Sequence, residues 1–196
     1  MSKIKSFSAL PKDYQEAFSV DLLKDKKMLL MINLLSLLML LPVALVYYLI
    51  IKYTDKVLII EGTITELWKY IVFIISMVLY IIIHELIHAV FFKLATKEKV
   101  KFRFHGIMAS ASVPGIYFYK KPYLIVGLAP AVIMSIVLII PGFFLDGIDL
   151  LLLTMIFAVH FSGCVGDFYI SLKLVKYPRE TLIEDTGTGM KFYIIK

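Results

Sequence analysis

The sequence predicts an all-α integral membrane protein, with four transmembrane helices and a small cytoplasmic-side β-hairpin between the second and third. Three observations carry this. Hydrophobic residues make up 60% of the 196 positions and charged ones only 18%, with a mean hydropathy of +0.87, well away from the balance of a water-soluble domain. The apolar residues are gathered into four long runs. The basic residues are gathered into alternate segments between those runs. With no Pro/Gly/Ser-rich linker and no internal repeat, residues 1–196 read as a single membrane domain.

Residues 1–27 form a charged cytoplasmic tail, in which Tyr14 to Leu23 places Tyr14, Phe18 and Leu22 at four-residue intervals. That spacing predicts either a short amphipathic helix on the membrane face or a disordered lead-in. The first span is 28–51, free of charge between Lys27 and Lys52 and longer than the roughly 20 residues a bilayer requires. It starts too late and runs too long for a cleaved signal peptide. The second span, 70–92, lies between Lys69 and Lys93 and holds His84, Glu85 and His88. The third is 122–145, and the fourth, 150–172, contains His160, Cys164 and Asp167. None of the four runs shows the polar face, repeating every three to four residues, that a soluble helix bundle demands.

The loop 93–121 alternates Val100, Phe102 and Phe104 with Lys101, Arg103 and His105; after Gly106 a second run, Ile107 to Val113, ends at Pro114-Gly115. Period-two alternation followed by turn residues predicts a β-hairpin, with Ile116 to Tyr119 as a candidate third strand. Further short strands are expected at Val57 to Thr65 and at Phe192 to Ile195, within the 173–196 tail.

Of the 21 Lys and Arg residues, 18 fall in the two tails and the loop 93–121, leaving Lys52, Lys56 and Lys69 on the other side. The positive-inside rule places both termini in the cytoplasm of a multi-pass protein of the cell membrane. The formal charge of +6 is thereby assigned to a lipid bilayer partner, and no nucleic-acid partner is expected. The single cysteine, Cys164, excludes an internal disulfide framework.

His84-Glu85-Leu86-Ile87-His88 is an H-E-x-x-H pattern. Residues four apart on a helix share a face, so both imidazoles can reach one zinc ion, while the neighbouring Glu85 can take a proton from water. Ionisable groups inside an apolar span are costly unless they serve a site. A catalytic zinc needs a third protein ligand. By a rise of 1.5 Å per residue, His84 and His88 lie roughly 4 and 10 Å past the midpoint of their span and Asp167 about 9 Å past the midpoint of its own. Asp167 is thus at the right depth. Cys164, at a suitable depth, and His160, nearer the midplane, share its helical face and compete with it. Ser162, Gly163 and Gly166 would let the fourth span approach the second closely.

H-E-L-I-H in one span, a hairpin after it and an Asp within a Gly-containing segment two spans later resemble the site-2 protease clan of intramembrane zinc metalloproteases. The chain is most similar to the small bacterial branch described as putative zincin peptidases, through Leu128-Ala129-Pro130 and the Ser162-Gly163 to Gly166-Asp167 segment. The resemblance implies one zinc per chain held by His84, His88 and Asp167, with Glu85 activating water. The chain departs from the clan at one point: the Asn-Pro-rich segment ending Asp-Gly is replaced by Gly166-Asp167, and the only asparagine is Asn33. An asparagine contribution to oxyanion stabilisation is therefore missing.

The reading that follows is a membrane-embedded zinc metalloendopeptidase acting on membrane-protein or peptide substrates. Its rival is a non-proteolytic membrane protein that binds metal or a partner through a degenerate protease fold. Glu85 favours the enzyme, because a purely structural zinc site is closed by four ligands and needs no adjacent base. A metal transporter fits less well, because the carboxylates and histidines gather at one depth instead of tracing a path across the bilayer.

Overall fold

The computed structural model describes residues 6–21, 24–54, 67–105 and 108–196. In chain order they form β1 (Ser6–Phe7), β2 (Tyr14–Asp21), α1 (Lys26–Leu38), α2 (Leu40–Thr54), α3 (Leu67–Thr96), β3 (Lys101–His105), β4 (Met108–Ser112), β5 (Tyr117–Tyr119), α4 (Lys120–Gly142), α5 (Gly147–Gly163), α6 (Val165–Val175), β6 (Leu182–Asp185) and β7 (Gly189–Ile195). The expected strand at Val57 to Thr65 lies outside the described residues.

Four helical stretches are long and apolar enough to cross a membrane: Lys26–Thr54, Leu67–Thr96, Lys120–Gly142 and Gly147–Val175. Protein buries only 6% of the most apolar window of the first and 11% of that of the second, so Leu30, Leu37, Leu41, Ile71, Ile74 and Val78 present their side chains outward. In water such a surface would cost about 25 cal/mol for each Å² left exposed, a cost that lipid removes. Two of the stretches are interrupted. α1 and α2 part at Met39, three residues before Pro42, whose ring clashes with the carbonyl four residues back and which has no N–H to give. α5 and α6 part at Cys164, whose N–H still reaches the His160 carbonyl.

The protein is not all-α. Besides the expected hairpin of β3 and β4 there is a five-stranded antiparallel sheet in the order β1-β5-β6-β7-β2. Tyr14–Asp21 is a strand rather than an amphipathic helix, paired with β7 from Tyr14↔Ile195 to Asp21↔Gly189 with an irregularity between Glu16 and Phe18. A four-residue spacing fits one helical turn, but it also equals two strand repeats, so Tyr14 and Phe18 satisfy either period. The decision was made by β7, far away in sequence. The strand at Phe192–Ile195 is present within β7, and β5 pairs with β1 and β6 rather than extending the hairpin.

Contacts divide the chain into two compact units: Met1–Ile32, Glu85–Ala129 and Gly166–Lys196 form one, Asn33–His84 and Pro130–Val165 the other. The core of the first joins the sheet to helical residues: Val20, Phe118, Ile183 and Phe192 pack with Phe92, Val126, Ile170 and Leu174. The Phe18 and Phe192 rings pack tilted against each other, 5.0 Å between centroids. Gly189 is required here, since a Cβ at that position would collide with the Val20 carbonyl oxygen. The core of the second unit is helical, with Val43, Tyr47 and Ile50 of α2 against Leu150 and Phe157 of α5.

Candidate metal centre

The H-E-x-x-H segment lies in α3, a single helix from Leu67 to Thr96. Nothing interrupts it between His84 and His88, so the two imidazoles leave one face about 6 Å apart along the axis, with half-buried Glu85 beside them.

In the unit that contains His88, two contacts fix its ring. Nδ1 lies 3.0 Å from the Val126 carbonyl oxygen of α4. A carbonyl can only accept, so Nδ1 carries a proton and donates it. Nε2 then faces Oδ1 of Asp167 on α6 at 3.6 Å, with the two side chains 12% and 19% exposed. Two N and O donors bound to one tetrahedral zinc at 2.0–2.1 Å would stand about 3.3 Å apart. The His88 and Asp167 donors stand close to that spacing, and the Val126 carbonyl is placed where an outer partner would orient a metal-binding imidazole.

The other unit contains His84, buried, with the Tyr80 hydroxyl one turn earlier at 3.4 Å from its Nδ1. The same hydroxyl is 3.4 Å from the His160 carbonyl oxygen. When the hydroxyl donates to that carbonyl, His84 Nδ1–H donates to the Tyr80 oxygen. His160, fully buried, places Nε2 3.2 Å from Ser135 Oγ and Nδ1 3.7 Å from Cys164 Sγ. One ligand atom each from His84, His160 and Cys164 lie within 4.8 Å of one another. This buried His/Cys group could hold a metal ion.

A protein-family comparison covers this machinery. Residues 77–182 match the family described as "Putative zincin peptidase". The chain belongs to that family. The matched segment begins within α3, at Met77, and includes H-E-L-I-H, the hairpin, β5, α4, α5, α6 and the first residue of β6. No curated protein and no solved structure matches the chain.

Of the residues expected from sequence, Asp167 meets His88, whereas Cys164 and His160 group with each other and with His84. Sequence reasoning missed Tyr80, although it stands four residues before His84, the spacing that paired the two histidines. It also missed Val126, which acts through a backbone carbonyl that any residue possesses. A third omission is Asp185 on β6. Its carboxylate accepts from the Tyr123 hydroxyl at 2.9 Å and from the Gly187 N–H at 2.8 Å, and burial pushes its pKa up to about 6.

The hairpin is also fixed in place. Arg103 Nη1 donates to the Thr186 carbonyl at 2.8 Å, and Phe102 and Phe104, on the opposite face of β3, are exposed. Among the described residues, β4 pairs only with β3; Ala111 and Ser112 are buried and Ala109 and Ser110 half-buried.

Proposed function

We propose that the protein is a membrane-embedded zinc metalloprotease of the site-2 protease type, in which His84, His88 and Asp167 hold one zinc ion and Glu85 is the general base. The observation that carries this reading is the pose of His88: Nδ1 is tied to the Val126 carbonyl and Nε2 faces the Asp167 carboxylate. The H-E-x-x-H helix supplies His84 one turn away, and the family is that of zincin peptidases. Bound zinc would polarise the scissile carbonyl and increase the acidity of the attacking water. Glu85 takes a proton from that water as the oxygen joins the carbonyl carbon, then delivers it to the amine nitrogen as the C–N bond breaks. Water is consumed, and a carboxylate and an ammonium group are released, the second water proton also ending on the amine nitrogen. A carboxylate suits both steps because it returns to its starting state each turnover.

The cell membrane is the proposed location, with both termini in the cytoplasm, and membrane-protein or peptide segments are the proposed substrates. A helical substrate must unwind before its peptide bond can be attacked, and backbone unwound in lipid needs replacement partners. The edge of β4 that pairs with no strand among the described residues, with small, half-buried Ala109 and Ser110, is the proposed ladder for an extended segment.

Glu85→Gln tests the catalytic role, because it keeps the shape of the side chain and removes the base. The variant should retain about one zinc per chain by metal analysis and lose peptide hydrolysis by at least about 100-fold. Hydrolysis close to the wild-type rate would overturn the mechanism, and zinc retention without hydrolysis in the wild type would favour the non-proteolytic metal-binding alternative.

A further inference from the structure

We propose that His84, His160 and Cys164 form a second coordination position for a thiophilic divalent metal ion, alternative to the catalytic one and inactive. The claim that the two positions exclude each other, and that the second is inactive, rests on the catalytic reading above; the existence of the position does not.

The three ligand atoms lie within 4.8 Å of one another, all from buried side chains. Cys164 Sγ and His160 Nδ1 are 3.7 Å apart. Zinc–sulfur and zinc–nitrogen bonds of about 2.3 and 2.0 Å at a tetrahedral angle would set those atoms about 3.5 Å apart. The two residues are four apart on the chain, repeating the spacing of His84 and His88. Cys164 also stands at the junction where α5 ends and α6 begins.

Protonation is consistent with the assignment. His160 Nε2 lies 3.2 Å from Ser135 Oγ. When Nε2–H donates there, the lone pair on Nδ1 points toward the Cys164 sulfur. Without metal the thiol donates to that lone pair. When a divalent ion enters, the S–H bond breaks, sulfur keeps the electron pair as a thiolate ligand, and one proton leaves to solvent. A soft thiolate beside two imidazoles suits zinc, cobalt(II) and cadmium.

Exclusivity follows from His84. A neutral imidazole has one lone pair, so His84 can serve one ion at a time. An ion held with Cys164 and His160 deprives the catalytic set of one of its two histidines, and hydrolysis stops until the ion is transferred. The thiolate position would thus act as a store for the metal.

The test uses the full chain in detergent, loaded with cobalt(II). His88→Ala/Asp167→Asn removes the competing ligands and leaves the second set whole. This variant should bind about one cobalt per chain and show a thiolate-to-cobalt charge-transfer band in the near ultraviolet. Adding Cys164→Ser should abolish that band. Should the double variant fail to fold, wild-type protein titrated with cadmium gives the equivalent thiolate band, again lost with Cys164→Ser. If the wild type cleaves peptide and neither metal produces a band, the second position does not exist and the catalytic reading stands. If the band appears and depends on Cys164 while wild-type zinc protein cleaves nothing, the second position stands and the catalytic reading falls.

Discussion

Tyr80 is the residue whose role differs most from its appearance in the sequence. It stands in an apolar run and would pass for a packing aromatic, yet its hydroxyl touches His84 Nδ1 and the His160 carbonyl. Outer partners of this kind set the tautomer and the aim of a metal-binding imidazole, and their loss costs about 10–100-fold in affinity or activity. Tyr80→Phe keeps the ring and removes only the hydroxyl. It should weaken zinc binding by about 10-fold or more, measured by competition with a chelator, while leaving the helix intact by circular dichroism; unchanged zinc affinity would show that the hydroxyl does not orient His84. The placing of the two histidines and Glu85 on one turn of one helix was legible in the sequence because the relationship is local. The meeting of Asp167 with His88 was legible through its depth in a parallel span. The remaining partners were hidden, since the Val126 group is backbone and the alliance of Cys164 and His160 with His84 depends on how separate helices pack.

At the scale of elements, the helices were readable and the sheet largely was not. Apolar runs of more than 20 residues announce themselves, whereas β2 and β7 each need the other to bury Phe18 and Phe192. The hairpin of β3 and β4 was readable because both strands and their turn lie within a dozen residues. The sheet also carries an unusual group in Asp185 of β6, whose pKa rises from an ordinary 3.8 to about 6 through burial. A carboxyl raised in the folded state binds more protons folded than unfolded, so its contribution to stability is greatest below about pH 4, falls as pH rises toward 6, and stays low above that. The ordinary and raised values imply a loss on the order of 3 kcal/mol across that window. Asp185→Asn removes the charge and can still accept from Gly187. Thermal melts should show the variant more stable than wild type at pH 8, with the advantage shrinking toward pH 4; an advantage independent of pH would refute the assignment.

The hairpin supports a second experiment at this scale. A proline in β4 removes one ladder donor without touching a metal ligand. Where the lost N–H faced away from β3, the β3–β4 pairing survives and only an added strand is affected. Prolines placed one at a time through 108–112 should therefore include positions that keep the fold and the zinc but cut cleavage of a membrane substrate by about 10-fold or more. Wild-type cleavage by every folded, zinc-loaded proline variant would show that β4 is not the substrate platform.

At the scale of the whole molecule, the distribution of charge predicts an orientation, and the packing of helices agrees with the span directions it requires. Lys69, at the start of α3, pairs with Asp149, at the start of α5, at 3.0 Å. The two helices therefore begin at the same end, as they must if the chain crosses a membrane four times with α3 and α5 running in one direction. The orientation itself is predicted from the asymmetry of 18 basic residues against 3. Basic residues near span ends resist translocation, each contributing to an orientation bias that accumulates over short loops. Both termini and the β3–β4 hairpin should then face the cytoplasm. A reporter that is active only outside the cytoplasm should be silent when fused after Lys196 and active when inserted between Lys52 and Lys69. The reverse pattern would turn the topology over and place the H-E-x-x-H end of α3, with the hairpin that follows it, on the outer face, where a cytoplasmic substrate could not reach it.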